Sequence, residues 1–277
     1  QGFLEAESTI LEIRIGLPVI YGGSSYDYGY SVVETSDGGL VVTGSTDSFG
    51  NGTQVYMLKT DSTGNLLWEK NFGGTSDDYG RSVVEASDGG LVVTGGTSSF
   101  GNGYQVYLLK TNSGGDLLWE KSFGGSIEDF GQRYDSGNSV IETADGGLVV
   151  TGNSEFIDNN DPDNDHMELY LLKTDSIGNL LWEKNFVGTG STYTYGHSAI
   201  ETTDGGLVVA GATHSFGDDE RVYLLKTDSN GNLLWEKRHG SSSGNSGESV
   251  IETADGGLVV TGITTLGNYY QVYLLKT

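Results

Sequence analysis

The sequence predicts an all-β chain, a five-bladed β-propeller of four-stranded antiparallel blades whose ring is closed by an N-terminal strand completing the last blade. Three observations predict it. The stretch 82–125, SVVEASDGGLVVTGGTSSFGNGYQVYLLKTNSGGDLLWEKSFGG, recurs whole or in part five times. Each copy divides into four short apolar or alternating runs with turn signals between them. No segment sustains a 3.6-residue apolar period, so no helix is expected.

In the second copy the runs are 82–85, 91–95, 105–110 and 117–123. Asp88-Gly89-Gly90 joins the first pair and Asn112-Ser113-Gly114-Gly115 the last, each supplying glycine for the positive φ of a tight hairpin. The period is marked by Asp37, Asp88, Asp145, Asp204 and Asp255, and again by Trp68, Trp119, Trp182 and Trp235. A tryptophan at each of these places is read as a core anchor between neighbouring blades.

One toroidal domain accounts for the 277 residues: a leader at 1–14, a closing strand at 15–23, and blades at about 28–73, 79–124, 137–187, 196–240 and 247–277. The last copy stops after its third run. Tyr21-Gly22-Gly23 aligns with Phe72-Gly73-Gly74, placing Leu17 where Trp68 stands, so the first strand is expected to pair both free edges. Gln1 in place of an initiator Met points to processing from a longer precursor.

Net charge is -24, which excludes nucleic acid and anionic membrane surfaces as partners. Cysteine is absent, so disulfides and thiolate metal sites are excluded too. No apolar run is long enough to span a bilayer, and a monomer is expected.

Comparing the copies with one another separates framework from variation. The turns between first and second and between third and fourth runs are nearly uniform. The other connectors vary in length and charge, and binding loops belong on the rim that varies. Just before the serine opening each inner strand stand Tyr30, Arg81, Asn138, His197 and Glu248, five different side chains between a repeated glycine and a repeated serine. They are the candidate ligand-binding residues, converging at the channel mouth; a solvated position without packing constraint is the plainer reading.

The third copy swells at residues 153–168, where Asp161, Asp163 and Asp165 alternate as oxygen ligands of the sort calcium takes. The glycine and distal glutamate of an EF-hand are missing, and a solvated acidic loop is the plainer account. Glu34, Glu85, Glu142, Glu201 and Glu252 repeat on the inner strands, where ion pairs with the repeated lysines account for them more simply than a cation ring. His166, His197, His214 and His239 show no metal-ligand spacing, and no Gly-x-Ser-x-Gly elbow supports a hydrolase triad.

The run Asp-Gly-Gly-Leu-Val-Val-Thr-Gly, then Val-Tyr-Leu-Leu-Lys-Thr-Asp-Ser-x-Gly-Asn-Leu-Leu-Trp-Glu-Lys, then Phe-Gly-Gly resembles a repeat of archaeal and bacterial secreted or cell-surface propeller proteins, from Gly16 onward. The resemblance implies a secreted or surface location. A looser likeness is to five-bladed tachylectin-type lectins, from which no residue motif carries over. The function expected on this basis is a non-catalytic extracellular module binding a glycan or protein through its acidic rim and channel mouth. The alternatives are a carbohydrate-active, glycoside hydrolase-like enzyme at the same mouth, and a structural spacer in a surface array. For the enzyme, Glu248 is the one acid at the mouth, with Asp27, Asp78 and Asp135 as neighbours able to partner it.

Overall fold

The computed structural model describes residues 19–277 apart from 126, 129–130, 162–164, 189–190, 216–219, 241–243 and 268. The leader at 1–14 and the first part of the closing strand lie outside the described residues, as does Asp163. Among the described residues all regular structure is β.

The first unit is β1 (Asp27–Glu34), β2 (Leu40–Thr46), β3 (Gln54–Thr60) and β4 (Leu66–Phe72), each antiparallel to the next. The second repeats it with β5 (Asp78–Glu85), β6 (Leu91–Thr97), β7 (Gln105–Thr111) and β8 (Leu117–Phe123). A short β9 (Ile127–Glu128) leads into the third, β10 (Gly131–Glu142), β11 (Leu148–Asp158), β12 (His166–Thr174) and β13 (Leu180–Phe186). The fourth is β14 (Ser191–Glu201), β15 (Leu207–Ser215), β16 (Arg221–Thr227) and β17 (Leu233–His239), tied to the third by a parallel bridge between Met167 and Tyr193. The fifth has three strands, β18 (Asn245–Glu252), β19 (Leu258–Leu266) and β20 (Tyr269–Lys276).

The hairpin between the first two strands of each unit is set by its own residues. Gly38 has φ of 81°, and Gly89, Gly146, Gly205 and Gly256 have 77–78°, a region that disfavours any side chain. The aspartate before the glycine closes the turn: Asp37 accepts from Gly39 N–H at 3.1 Å and from Thr35 at 2.6 Å. Lys59 Nζ reaches the same carboxylate at 2.6 Å, and Lys110, Lys173, Lys226 and Lys276 repeat the pair in the other units.

In the second, third and fourth units the second and third strands are covered on both faces, which is why they read as continuous apolar runs. Val41, Val55 and Met57 of the first unit meet Val83, Leu91 and Val93 of the second. Equivalent side chains form three further cores between consecutive units. The tryptophans lie at these seams as expected, with Trp68, Trp119 and Trp182 against Gly115, Gly178 and Gly231 of the following unit. Successive inner strands β1, β5, β10, β14 and β18 pack side by side and line the centre, an arrangement of propeller type.

Three expectations are corrected. The inner-strand glutamates do not pair with the lysines. Glu85 accepts from Ser36 N–H of the preceding unit at 2.7 Å, and Glu142, Glu201 and Glu252 do the same with Ser87, Ala144 and Thr203. The swollen connector at 153–168 is largely strand, because β11 and β12 stay paired out to Phe156 and His166. The ladder is carried outward by Arg133 on Glu168 at 2.7 Å and by Phe156 against His166, with ring centroids 5.2 Å apart. Lastly, residues 19–23 form no strand. Tyr21-Gly22-Gly23 instead copies the turn geometry of Phe72-Gly73-Gly74: Gly23 N–H donates to Asp27 at 2.8 Å as Gly74 N–H does to Asp78, and Gly22 and Gly73 have φ of 128° and 132°.

Candidate functional site

Each inner strand pairs with the second strand of its unit through an irregularity at one shared position. The register skips between Gly29 and Ser31, Gly80 and Ser82, Gly137 and Ser139, Gly196 and Ser198, and Gly247 and Ser249. The skipped residues are Tyr30, Arg81, Asn138, His197 and Glu248. A β-bulge leaves its extra residue out of the ladder and re-aims its side chain; here all five line one cavity of about 950 Å³.

The residues around the bulge explain the Gly-x-Ser pattern. Opposite it stands the glycine of Leu-Val-Val-Thr-Gly; a Cβ on Gly44, Gly95, Gly152, Gly211 or Gly262 would overlap the carbonyl oxygen two residues before the extra residue. The serine after it ties units together, Ser31, Ser82 and Ser198 accepting at 3.3–3.4 Å from the N–H of Val83, Val140 and Val250. Framework residues therefore hold the bulge, and the residue between them is free to vary.

The bulge side chains link one unit to the next. Arg81 Nη1 donates to Asn138 Oδ1 at 2.9 Å, and Asn138 Nδ2 donates to the Gly196 carbonyl at 2.9 Å. His197 Nδ1 donates to the Gly247 carbonyl at 3.1 Å and lies 3.5 Å from Glu248 Oε2. Ser246 Oγ donates to Glu248 Oε1 at 2.7 Å. Tyr30, on the first unit, stacks on Tyr28 with centroids 6.0 Å apart.

The walls add residues that comparison of the copies does not single out. Tyr79, Tyr104 and Tyr134 supply aromatic faces, and Glu155 on β11 supplies a second carboxylate. Burial raises the Tyr104 hydroxyl above its ordinary value, with Arg81 pulling the other way. Glu155 was hidden because it sits in the third copy's insertion, which has no counterpart in the other four. The mouth thus holds two acids, Glu155 and Glu248, and not one.

The other acids named as partners for Glu248 are framework. Asp27 and Asp78 accept from Thr46 and Thr97, from Ser48 and Ser99 at 2.9 and 2.7 Å, and from the glycines already described. Asp135 is buried, accepts from Gly125 N–H, and lines a separate cavity of about 500 Å³ with Arg133 and Glu183. In the insertion, Asp165 Oδ1 accepts from Asp158 N–H at 2.7 Å and Asp161 is exposed. Among the described residues no group of three acidic or histidine side chains is placed to hold a metal ion.

No protein-family model matches the chain, and no curated protein matches it in sequence. Solved structures do match it in fold. A polysaccharide lyase, an ulvan lyase, superposes with a TM-score of 0.56 at 10% identity over 93% of this chain and 72% of its own. The α-L-arabinanase of Penicillium chrysogenum, complexed with arabinobiose, gives 0.55 at 11% identity over 86% and 77%. The α-L-arabinofuranosidase of Fusarium graminearum, with an iminosugar inhibitor, gives 0.53 at 13% over 90% and 92%. At such identities the likeness shows the fold. The expectation of a non-catalytic module is corrected on two findings: these neighbours are carbohydrate-active enzymes, and the mouth here carries two acids, Glu155 and Glu248.

Proposed function

We propose that the chain is a glycoside hydrolase-like enzyme acting on polysaccharide at the channel mouth, with Glu248 as base and Glu155 as acid. The observation that carries this reading is the convergence of both carboxylates with five bulge residues in one tyrosine-lined cavity. Its volume of about 950 Å³ accommodates several sugar rings. Glu248, held by Ser246 and facing His197, takes a proton from water as the water oxygen bonds to the anomeric carbon. Glu155 delivers a proton to the departing glycosidic oxygen, so one bond forms, one breaks and the proton count balances.

The five units close into a ring, because each formed seam packs one kind of face on another and one face of each kind is left over. A secreted or surface location fits a substrate of polymer size.

Release of reducing ends from arabinan, galactan and polyuronate tests the activity. Glu248→Gln and Glu155→Gln should each lower turnover by about 100-fold or more while leaving Tm within about 2 °C. Full activity in either variant, or no release by the unaltered chain from any of the three, overturns the assignment.

A further inference from the structure

Half of the 14 basic side chains are already neutralised. Lys59, Lys70, Lys110, Lys173, Lys226 and Lys276 each hold an aspartate at 2.6–2.8 Å, and Arg133 holds Glu168 at 2.7 Å. Arg81 differs. Its hydrogen-bond partners are neutral, Asn138 Oδ1 at 2.9 Å and the Tyr104 hydroxyl, and Asn138 is itself pinned by the Gly196 carbonyl. Glu248 lines the same cavity, but its oxygens are engaged by Ser246 and His197.

The consequence is a guanidinium oriented without being neutralised. It is exposed, aimed into the mouth by the β5 bulge, and flanked there by the Tyr79 and Tyr104 rings. A guanidinium presents a planar fork of N–H donors that matches a carboxylate or sulfate with two parallel bonds. Tyrosine rings beside it offer apolar faces on which a sugar ring can lie.

We infer that the glycan bound at the mouth carries an anionic group, a uronate carboxylate or a sulfate ester, which Arg81 holds. This rests on the mouth being a glycan site and names the substrate class. It also gives a salt signature. A chain of net charge -24 repels a polyanion at long range, while the contact at Arg81 is shorter than the screening length. Raising salt from low to physiological strength screens the repulsion more than the contact. Affinity for an anionic glycan therefore rises over that range, whereas a neutral glycan responds little.

The test is calorimetric affinity of the full chain for polygalacturonate, dextran sulfate and neutral arabinan, in the unaltered protein and in Arg81→Gln and Arg81→Lys. One or both anionic polymers should bind at least about tenfold tighter than arabinan. Arg81→Gln should bring that ratio close to one and Arg81→Lys should restore part of it. The two anionic polymers tell carboxylate from sulfate. A ratio near one in the unaltered protein, or an unchanged ratio in Arg81→Gln, overturns the inference. Cleavage of arabinan with no anionic preference would sink this inference and leave the enzyme reading standing. Arg81-dependent binding of an anionic polymer that is never cleaved would do the reverse.

Discussion

At the scale of single residues, the chain separates groups that hold the fold from groups that it presents. The turn aspartates belong to the first kind. Lysine, threonine and glycine donors hold the carboxyls of Asp37, Asp204 and Asp255 well below the carboxylate range, and that of Asp145 at about 2. A folded pKa below the unfolded one adds stability above the unfolded value and loses it as pH falls through the folded one. Urea midpoints should therefore be level near neutral pH and fall steeply from about pH 4 towards pH 2. Asp145→Asn should cost about 1 kcal/mol at pH 7, the pair being more than half exposed on the aspartate side. Asp135 has the opposite sign. In the first two units the equivalent carboxylate accepts from Thr46 or Thr97, but here Ser154 Oγ is engaged by Arg133 Nε at 2.6 Å, and Asp135 Oδ1 is buried without a hydrogen bond, 3.8 Å from that same Nε. Burial pushes the Asp135 carboxyl up, so its ionisation weakens the fold as pH rises past the unfolded value. Asp135→Asn should raise Tm at pH 7 and leave it nearly unchanged at pH 3; a lowered Tm at pH 7 would mean that the charge itself is needed. Internal comparison made the five presented residues legible, since each stands between an invariant glycine and an invariant serine. It could not reveal Glu155, which no other copy has.

At the scale of elements, the bulge is the feature on which site and fold both depend. Gly95 faces the β5 bulge so closely that any side chain meets the Tyr79 carbonyl, backbone that cannot swing aside. Gly95→Ala should destabilise by several kcal/mol and remove Arg81 from the mouth, seen as a large drop in Tm together with lost glycan binding. Trp119→Ala tests the seam instead. The ring lies against Gly178 but is only partly covered, so a loss of about 2–3 kcal/mol is expected, with the bulges intact. The strands themselves were legible because their patterns follow from burial: two-sided cover gives Leu-Val-Val and Val-Tyr-Leu-Leu, and Asp-Gly-Gly gives the hairpin. The outer ends of β11 and β12 were not. Their polar Asn, Ser, Glu and Asp residues read as loop, and what keeps them paired is tertiary, the Arg133–Glu168 ion pair and the Phe156–His166 contact.

At the scale of the whole molecule, the four formed seams define what the two end units lack. Val83, Leu91 and Val93 correspond in the first unit to Val32, Leu40 and Val42; Val32 is 62% and Leu40 38% exposed. Val41, Val55 and Met57 correspond in the fifth to Val259, Val272 and Leu274, the last two 86% and 68% exposed. Hydrogen bonding leaves a matching remainder. Every inner-strand glutamate from Glu85 onward holds the turn N–H of the preceding unit, while Glu34 is exposed and so is Ala254, the residue equivalent to Ser36 in the fifth unit. Closure of the ring would join these remainders around the cavity that Tyr30 and Glu248 already line. The chain has no cysteine, which makes the test direct. Glu34→Cys with Ala254→Cys should be joined within one chain by a short bis-maleimide as efficiently as Glu85→Cys with Ser36→Cys, whose residues meet in a formed seam. Links between chains would instead mean that the left-over faces pair with a second copy. No link, with the control pair joined, would mean that the arc stays open.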